Sequence, residues 1–453
     1  MRVWIENPFD TLPLEGARPL RFWLMAAAFA RAGHTVVYWT GDFNHITKRK
    51  RIFSREGEVG APFQVEMIPT KPYAKNVGWA RVRSHRAYAA AWERRAIARA
   101  AADGAPDVII LSTPPLATGA AAIRLARRFG AKLVVDVMDD WPGTFYRLLP
   151  RGFRWLGRLL FAPAHRAARR LYRAADLVTT VAERYVELVR ASGATAPVKL
   201  FYHGIELGGR GLGGLGKLEL GELGDLGRLG KLEKLETLDT LEPLETLEPP
   251  QQLRLVYIGN LGRTYDLATI LAAMDALPPT VTLDIAGNGE QFAELQRRAT
   301  DRIRVHGVLD GARLAALLAQ CDVGLVPMAE SSCVGVPYKF GDYAAAGLAI
   351  ASTLGGESGR LLARYGAGFA YRGGDPASLV ALVRRLLAEP QTLADAQAAA
   401  RRMAEGEFDA DRIYAAYVAA VDATVKGIAA AKDAAAPGAI FAVRPHLPSD
   451  RKM

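Results

Sequence analysis

The residues whose types and spacing best suit chemistry lie in Cys321–Gly347, which reads CDVGLVPMAESSCVGVPYKFGDYAAAG. A buried strand, Val323–Pro327, is predicted to lead through a polar loop into a short helix that carries Lys339 and Asp342 and ends at Gly347. Helix-start N–H groups and a lysine can hold phosphates, and a carboxylate one turn away can accept hydroxyl hydrogen bonds. The segment therefore predicts a pocket for an anionic, hydroxyl-rich ligand of the nucleotide-sugar type.

The elements that must position these residues alternate between strands and helices. In the first 200 residues the predicted strands are Arg2–Ile5, Thr35–Thr40, Val108–Ser112, Lys132–Val137 and Leu177–Val181, and the predicted helices are Leu20–Ala32, Leu116–Phe129 and Glu183–Ser192. The same alternation restarts at Leu253, with strands Leu253–Ile258, Val281–Ala286, Ile303–His306 and Leu348–Ser352 and helices Leu267–Ala276, Gln291–Ala299 and Gly311–Gln320. Such repeats predict an α/β fold of two Rossmann-like doubly wound domains facing a central cleft.

Between the two halves lies Leu207–Pro250, with leucine at nearly every third position and no aromatic residue. Three residues advance a helix by about 300°, so these leucines wind around the axis and share no apolar face. We therefore expect a low-complexity linker. The alternative, a leucine-rich partner surface, is less favoured because the strand and asparagine signature of that repeat is missing.

Composition limits the classes of partner and compartment. The 453 residues carry a formal net charge of +11, which indicates an anionic partner: nucleic acid, a phosphate-bearing substrate or an acidic membrane surface. The two cysteines, Cys321 and Cys333, have no neighbours suited to bind zinc, so we expect both to be packing residues. No metal and no cofactor are expected. Without a signal-like or bilayer-spanning apolar run, a cytoplasmic location is expected.

Motifs across both halves resemble one enzyme family. Residues 251–409 resemble the donor-binding half of retaining GT-B glycosyltransferases of family four, especially the bacterial cell-surface polysaccharide enzymes, through VYIGNLGR, LDIAGNGE, PYKFGDYAAAG and STLGGES. The N-terminal half resembles the acceptor-binding half through GARPLRFWLMAAAFARAGHTVV, VVDVMDDWP and HGIE. The resemblance implies metal-independent transfer of a sugar from a nucleoside-diphosphate-sugar to a hydroxyl acceptor with retention, in cell-surface polysaccharide or glycolipid synthesis.

The resemblance also sets the expected domain boundaries. Residues 1–206 are expected to form the Rossmann-like acceptor-binding domain and 251–409 the Rossmann-like nucleotide-sugar-binding domain, joined by the linker 207–250. Residues 410–426 are expected to form a helix that crosses back to the first domain, and 435–453 a disordered tail.

Two cations and one acid are the principal candidates in the donor site. Arg263 and Lys339 align with the family's diphosphate-binding cations, and a fixed Arg and Lys can offset the charge that develops on a departing diphosphate. Asp342 aligns with the second acid of the family's paired-acid motif, where it would bind ribose hydroxyls. No acid stands at Val334, the place of the first acid, and Glu330 is four residues too early. The alternatives are a solvated loop charge for Arg263 and an exposed helix residue for Lys339.

The remaining donor-site candidates lie at strand ends or beside the acid. They are Gly16 in the first loop, Gly259, Asn260 and Gly262 in GNLG, Gly287 and Asn288 in GNGE, His306, and Tyr343. Glycine lets phosphate approach the backbone, although it also serves tight turns. His306 is placed near the nucleobase, with a structural histidine as the alternative.

Asp139, in VVDVMDDWP, is the candidate on the acceptor side. It follows a strand that should face the cleft and could orient the acceptor hydroxyl or receive its proton. The alternative is that Asp139 or Asp140 caps the following turn. A metal-binding DxD interpretation of this acidic cluster is weaker, because the predicted donor site needs no metal.

A basic segment, residues 147–173, bears on membrane association. No acidic residue occurs from Trp141 through Ala175, and arginines alternate there with large apolar residues. This pattern is typical of an interfacial helix on anionic lipid, which would place the protein on the inner face of the cell membrane and bring it a lipid-linked acceptor. The alternative is a core-facing helix with solvated arginines. Nucleic acid is not expected, because no recognition motif accompanies the charge.

Two other function classes stay open. A nucleotide-sugar epimerase can use the same double-Rossmann frame. A catalytically silent GT-B binding subunit would fit the missing first acid and the absence of the family's second lysine after Arg263.

Overall fold

The computed structural model of the chain describes residues 1–51, 61–74, 78–147, 151–207, 252–329, 332 and 334–427. The predicted linker, apart from Leu207, and the predicted tail 435–453 lie outside these ranges. Glu330 and Cys333 lie outside them as well.

The first sheet has seven strands in the described part of the chain, in the order β3-β2-β1-β4-β5-β6-β7. They are β1 (Arg2–Glu6), β2 (Thr35–Gly41), β3 (Gln64–Ile68), β4 (Val108–Thr113), β5 (Lys132–Val137), β6 (Leu177–Thr180) and β7 (Val198–Leu200). Every neighbouring pair is parallel. Because parallel neighbours share one direction, the loops after β1, β2, β4 and β5 open at the same edge.

Helices cover both faces of this sheet. They are α1 (Arg21–Arg31), α2 (Trp79–Asp103), α3 (Gly119–Phe129), α4 (Gly143–Arg147), α5 (Arg154–Leu160), α6 (Ala162–Ala174) and α7 (Glu183–Ala191), with short 3₁₀ turns at Pro13–Glu15, Leu116–Thr118 and Arg151–Phe153. One apolar core lies between the sheet and α2, α3 and α6, and a second lies under α1. Both faces of the strands are therefore buried, as their nearly continuous apolar sequences require.

The second sheet has six parallel strands among the described residues, in the order β10-β9-β8-β11-β12-β13. The strands are β8 (Leu253–Asn260), β9 (Val281–Asn288), β10 (Ile303–Gly307), β11 (Val323–Val326), β12 (Ala349–Ser352) and β13 (Gly368–Ala370). Its helices are α8 (Leu267–Ala276), α9 (Phe292–Arg297), α10 (Gly311–Leu318), α11 (Tyr338–Ala346), α12 (Gly356–Tyr365), α13 (Pro376–Ala388) and α14 (Pro390–Met403). The predicted class, two doubly wound α/β domains with parallel sheets, is confirmed.

The chain returns from the second half to the first through a π-helical turn, Ala404–Phe408, and helix α15 (Ala410–Val425). Ile205 donates its N–H to the carbonyl of Phe408 at 2.7 Å, and the N–H of Ala410 donates to the carbonyl of Ile205 at 3.0 Å. Buried residues of α15, among them Tyr414 and Tyr417, join the core under α1. Helix α15 therefore packs on the first sheet although it follows the second in sequence.

Candidate active site

Helix α11 begins after Pro337 and ends at Gly347, whose φ of 73° gives the left-handed cap that glycine favours. Its inner face is fixed by Tyr343, a fully buried side chain. The hydroxyl of Tyr343 accepts from the N–H of Ile258 at 3.0 Å and donates to the carbonyl of Leu325 at 3.2 Å. These hydrogen bonds to β8 and β11 fix the position and orientation of α11 on the sheet.

Lys339 stands in the first turn of α11 and is 6% exposed. Its Nζ lies 4.0 Å from the ring centroid of Tyr257 and 4.1 Å from that of Tyr265. Among the described residues this Nζ has no hydrogen-bond partner. Burial lowers the pKa of Lys339 well below its usual range, and the nearby Asp342 carboxylate opposes that shift. The result is a buried amine held between two aromatic faces and short of acceptors.

The glycine-bearing ends of β8 and β9 meet beside this amine. Gly259 pairs with Gly287 and Asn260 with Asn288 in the parallel ladder. A Cβ on Gly287 would stand 1.7 Å from the carbonyl oxygen of Gly259, and one on Gly259 would stand 3.5 Å from the Nζ of Lys339. Close packing of the strand ends requires glycine at 287. The structure therefore brings the ends of the two predicted glycine turns together and places Gly259 beside Lys339.

Arg263 and Gly262 occupy the loop that follows β8. The Arg263 side chain is 88% exposed, and its Nε lies 3.4 Å from a carboxylate oxygen of Glu290 in the loop after β9. The loop thus places a solvated cation at the rim, next to the turn that carries Asn288. Its part in holding a diphosphate stays a prediction.

Asp342 makes an ion pair that the sequence did not indicate. A guanidinium nitrogen of Arg18 lies 2.8 Å from one oxygen of the Asp342 carboxylate and 3.0 Å from the other. Arg18 also stands 5.3 Å from the ring centroid of Tyr338. Burial raises the pKa of Asp342, and Arg18 opposes the shift. The predicted ribose-binding acid is therefore held by a cation from the first half of the molecule.

Gly16, in the loop after β1, adds a second contact between the halves. Its carbonyl accepts from the N–H of Gly311 at 3.3 Å, at the start of α10. With φ of 77°, Gly16 adopts a backbone conformation that other residues rarely take. This contact between the halves was not predicted, and the expected approach of a phosphate to Gly16 stays a prediction. Arg18 follows Gly16 by two residues.

Glu357, within the recognised STLGGES motif, forms a third contact between the halves. The hydroxyl of Tyr202 donates to its Oε1 at 2.7 Å and the N–H of Glu183 donates to its Oε2 at 2.9 Å. Burial raises the pKa of Glu357 to about 7, against the lowering effect of these hydrogen bonds. Sequence reasoning missed this acid because both of its partners lie more than 150 residues away in the chain.

His306 lies in a different environment from the other donor-site candidates. Its Nε2 is 2.6 Å from a carboxylate oxygen of Asp284, a fully buried acid that also pairs with Arg254 at 2.6 Å and with Arg304 at 3.0 Å. These contacts join β8, β9 and β10 and match the alternative interpretation of His306 as a structural histidine. The structure shows no contact of His306 with Lys339 or Asp342.

Asp139 stands at the carboxyl edge of the first sheet, two residues after β5. Its Oδ1 accepts from the N–H of Asp140 at 2.7 Å and lies 3.4 Å from the Oγ1 of Thr144. Burial raises its pKa. These bonds match a turn cap, the alternative interpretation of the residue, and its acceptor-side role stays a prediction.

A cluster near Asp139 was not expected from the sequence. The guanidinium of Arg81 stands 5.0 Å from the ring centroid of Trp141, and the ring of His85 lies 6.3 Å from the same indole. Burial lowers the pKa of His85 to about 3. Both side chains come from α2, whose arginine-rich sequence, WARVRSHR, could have suggested a polar rim.

No cluster of three or more His, Cys, Asp or Glu side chains within the described ranges is placed to hold a metal ion. Cys321 is buried, and desolvation raises its pKa to about 12, consistent with a packing role. In the same described ranges, no helix is long and apolar enough to cross a bilayer.

Two parallel-sheet domains with a cleft between the carboxyl edges of their strands define the GT-B class of glycosyltransferases. Residues 20–202 match the family described as Glycosyl transferase 4-like domain, and residues 252–389 match the family described as Glycosyl transferases group 1. The two matches together cover more than two thirds of the chain. The chain belongs to the family-four-like GT-B glycosyltransferases, and it is a glycosyltransferase.

Solved structures share this fold at low sequence identity. HepE from Anabaena, in complex with UDP and glucose, superposes with a TM-score of 0.62 at 14% identity, covering 93% of this chain and all of that one. Sucrose-phosphate synthase from Thermosynechococcus elongatus superposes with a TM-score of 0.66 at 13% identity, covering 94% of this chain and 99% of that one. WaaG, a glycosyltransferase involved in lipopolysaccharide biosynthesis, superposes with a TM-score of 0.59 at 13% identity, covering 92% of this chain and 99% of that one. No curated protein sequence matches the chain significantly.

Proposed function

We propose that this glycosyltransferase moves a sugar from a nucleoside-diphosphate-sugar to a hydroxyl acceptor, with retention at the anomeric carbon and without a metal. The observation that carries the proposal is the position of Lys339. A buried amine without a hydrogen-bond partner, beside the bare backbone of Gly259, is suited to receive an anion.

In the reaction the bond from the anomeric carbon to the diphosphate oxygen breaks, and a bond to the acceptor oxygen forms. Lys339, the first N–H groups of α11 and the rim cation Arg263 offset the charge that develops on the leaving diphosphate. The acceptor proton passes to the leaving phosphate on the shared face of the sugar or to Asp139. The first route suits retention, because the acceptor and the leaving group then occupy the same side.

Asp342 is assigned to the ribose of the donor. In the structure its carboxylate is paired with Arg18, so the donor must replace this pair with ribose hydroxyl hydrogen bonds. Support for a nucleotide donor comes from HepE, which has been solved in complex with UDP and with UDP-glucose. A uridine nucleotide is therefore the first probe to use.

The acceptor is proposed to be a carbohydrate or a lipid-linked saccharide of the cell surface, which places the enzyme in polysaccharide or glycolipid synthesis. Two features support this: the motif resemblance to cell-surface polysaccharide enzymes and the fold shared with WaaG, which is involved in lipopolysaccharide biosynthesis. A cytoplasmic site of action, close to the membrane, follows from such an acceptor.

The test is a thermal-shift panel of UDP-, GDP-, dTDP- and ADP-sugars, followed by a product assay with the sugar that stabilises the protein. We expect one nucleotide to raise the melting temperature of the wild type. In Lys339→Ala the shift should vanish and turnover should fall at least about 100-fold, a typical loss for a group that stabilises transition-state charge.

Lys199→Ala removes a lysine from β7 in the first sheet and is the matched control, expected to bind and turn over normally. Unchanged turnover in Lys339→Ala would rule out the assigned role. Isomerisation of the donor without an acceptor would identify the epimerase alternative, and no nucleotide binding at all would identify the silent subunit.

A further inference from the structure

Helix α5 presents an apolar face to solvent. Trp155, Leu156, Leu159 and Leu160 lie on one side of the helix, since residues four apart align, and Phe153 precedes them. These five side chains are between 51% and 73% exposed. They make up half of the exposed large hydrophobic side chains among the described residues. A cluster of this kind on a surface marks an interaction site.

The next helix, α6, carries a group of exposed arginines. Its residues Arg166, Arg169, Arg170 and Arg173 share one side at helical spacing and, with Arg127 of α3, line a depression of about 450 Å³. Within the described part of the chain, none of these five arginines is ion-paired with a carboxylate. The stretch 141–175 contains no acid at all. Such a group of arginines is suited to bind a surface that presents many phosphate groups.

Aromatic contacts join this region to the carboxyl edge of the first sheet. Trp141 packs on Phe145 with ring centroids 4.7 Å apart, and Phe145 stacks on Phe161 at 5.5 Å. Phe161 is the junction between α5 and α6. The apolar face is therefore connected through three side chains to the turn that holds Asp139.

We propose that α5 and α6 form a docking surface for an anionic phospholipid bilayer. The apolar side chains of α5 enter the interfacial region, and the arginines of α6 bind headgroup phosphates. A second copy of this chain is disfavoured as the occupant, because the region has no acid to face its own arginines. Nucleic acid would leave the apolar face in water. The docking surface goes beyond the proposed function, and vesicle binding is measured independently of sugar transfer.

The experiment is flotation of the full chain with vesicles of neutral phosphatidylcholine and with vesicles that contain about one third phosphatidylglycerol. We expect the wild type to float with the acidic vesicles and to remain at the bottom with neutral ones. The apolar variant Trp155→Ser/Leu159→Ser and the charge variant Arg166→Gln/Arg170→Gln should each weaken vesicle binding at least tenfold.

Matched controls test whether vesicle binding depends on this surface or only on exposed apolar area and net charge elsewhere in the molecule. Trp79→Ser removes an even more exposed tryptophan from α2, and Arg297→Gln/Arg402→Gln removes two exposed arginines from the second half. Both should float like the wild type. The proposal is overturned if the wild type ignores acidic vesicles or if the controls lose binding as much as the surface variants. Concentration-dependent dimerisation abolished by Trp155→Ser/Leu159→Ser, without flotation, would show instead that a second copy covers this face.

Discussion

At the scale of single residues, Lys339 holds a position that is unfavourable without a ligand. A buried polar group without its hydrogen bonds costs about 1–3 kcal/mol, and two aromatic faces return about 2 kcal/mol when desolvated. The lowered pKa of Lys339 indicates that burial outweighs the favourable contacts. A diphosphate would supply the missing acceptors, so the arrangement favours binding over stability.

Lys339→Met should make the empty protein more stable while removing donor binding. The methionine fills the same space without an unsatisfied amine and keeps a sulfur–aromatic contact with Tyr257 and Tyr265. Because the loss of the cation–π contacts offsets part of the gain, we expect the free energy of unfolding to rise by about 1 kcal/mol. Denaturant unfolding of the variant, the wild type and the control Lys199→Met measures this change. A loss of stability in Lys339→Met would mean that the amine has a partner in solution and is a structural group.

Lys339 and Asp342 could be identified from the sequence because both lie in one short helix, and the residues that begin and end it, Pro337 and Gly347, are its immediate neighbours in the chain. It did not identify Arg18 as the partner of Asp342, since 324 residues separate the two side chains. Tyr257 and Tyr265 were likewise visible in VYIGNLGRTYD, yet their contact with Lys339 depends on how α11 sits on the sheet.

At the scale of elements, the ends of β8 and β9 determine the shape of the site. Their ladder continues to the pair Asn260 and Asn288, two residues beyond the ends predicted at Ile258 and Ala286. Glycine at 287 allows the two backbones to approach closely where a side chain would collide. The two predicted glycine turns are therefore the hydrogen-bonded ends of β8 and β9, and the Lys339 amine lies beside the backbone of Gly259.

Gly287→Ala should destabilise the second half strongly. The new Cβ would meet the carbonyl of Gly259 at 1.7 Å, so the strand ends must separate, and we expect a loss of about 3 kcal/mol or more. Gly152→Ala is the control, because no atom lies within 4 Å of a Cβ there and the residue lies in the 3₁₀ turn Arg151–Phe153. Equal melting temperatures for the two variants would contradict the close packing.

Strands were the elements most readily predicted, because apolar runs such as Val108–Thr113 are buried on both faces. Helix α2, with 25 residues, was not predicted. Its buried positions, which include Tyr88, Trp92 and Ala96, follow helical spacing, but arginines and alanines surround them and weaken the apolar pattern. The cluster of Arg81 and His85 was missed together with this helix.

At the scale of the whole molecule, polar contacts hold the two halves together across the cleft. Arg18 pairs with Asp342, Gly16 bonds Gly311, and Glu357 accepts from Tyr202 and Glu183. Arg360 and Glu183 form a further ion pair between the halves. Two of these contacts use groups assigned to the donor site, so donor binding and domain contact are expected to be coupled.

The contact at Glu357 should make stability depend on pH. The pKa of Glu357 is raised from 4.5 to about 7 in the fold, so between these values the native state binds more protons than the unfolded state, and stability falls as pH rises. Glu357→Gln mimics the protonated acid. Its stability advantage over the wild type should be small near pH 4.5, grow through about pH 7 and then level off.

Thermal unfolding of Glu357→Gln and wild type from pH 4.5 to pH 8.5 measures this difference. Glu405→Gln, on the exposed side of the turn before α15, is the control and should show a small offset without pH dependence. A difference between Glu357→Gln and wild type that does not change with pH would contradict the raised pKa.

The most direct measurement is a crystal structure of the protein with UDP bound. We expect the Nζ of Lys339 within hydrogen-bond distance of a diphosphate oxygen, at about 2.7–3.2 Å, and Asp342 released from Arg18 to bind the ribose hydroxyls. A nucleotide bound elsewhere, or a Lys339 amine that remains between Tyr257 and Tyr265 with no phosphate beside it, would contradict the account.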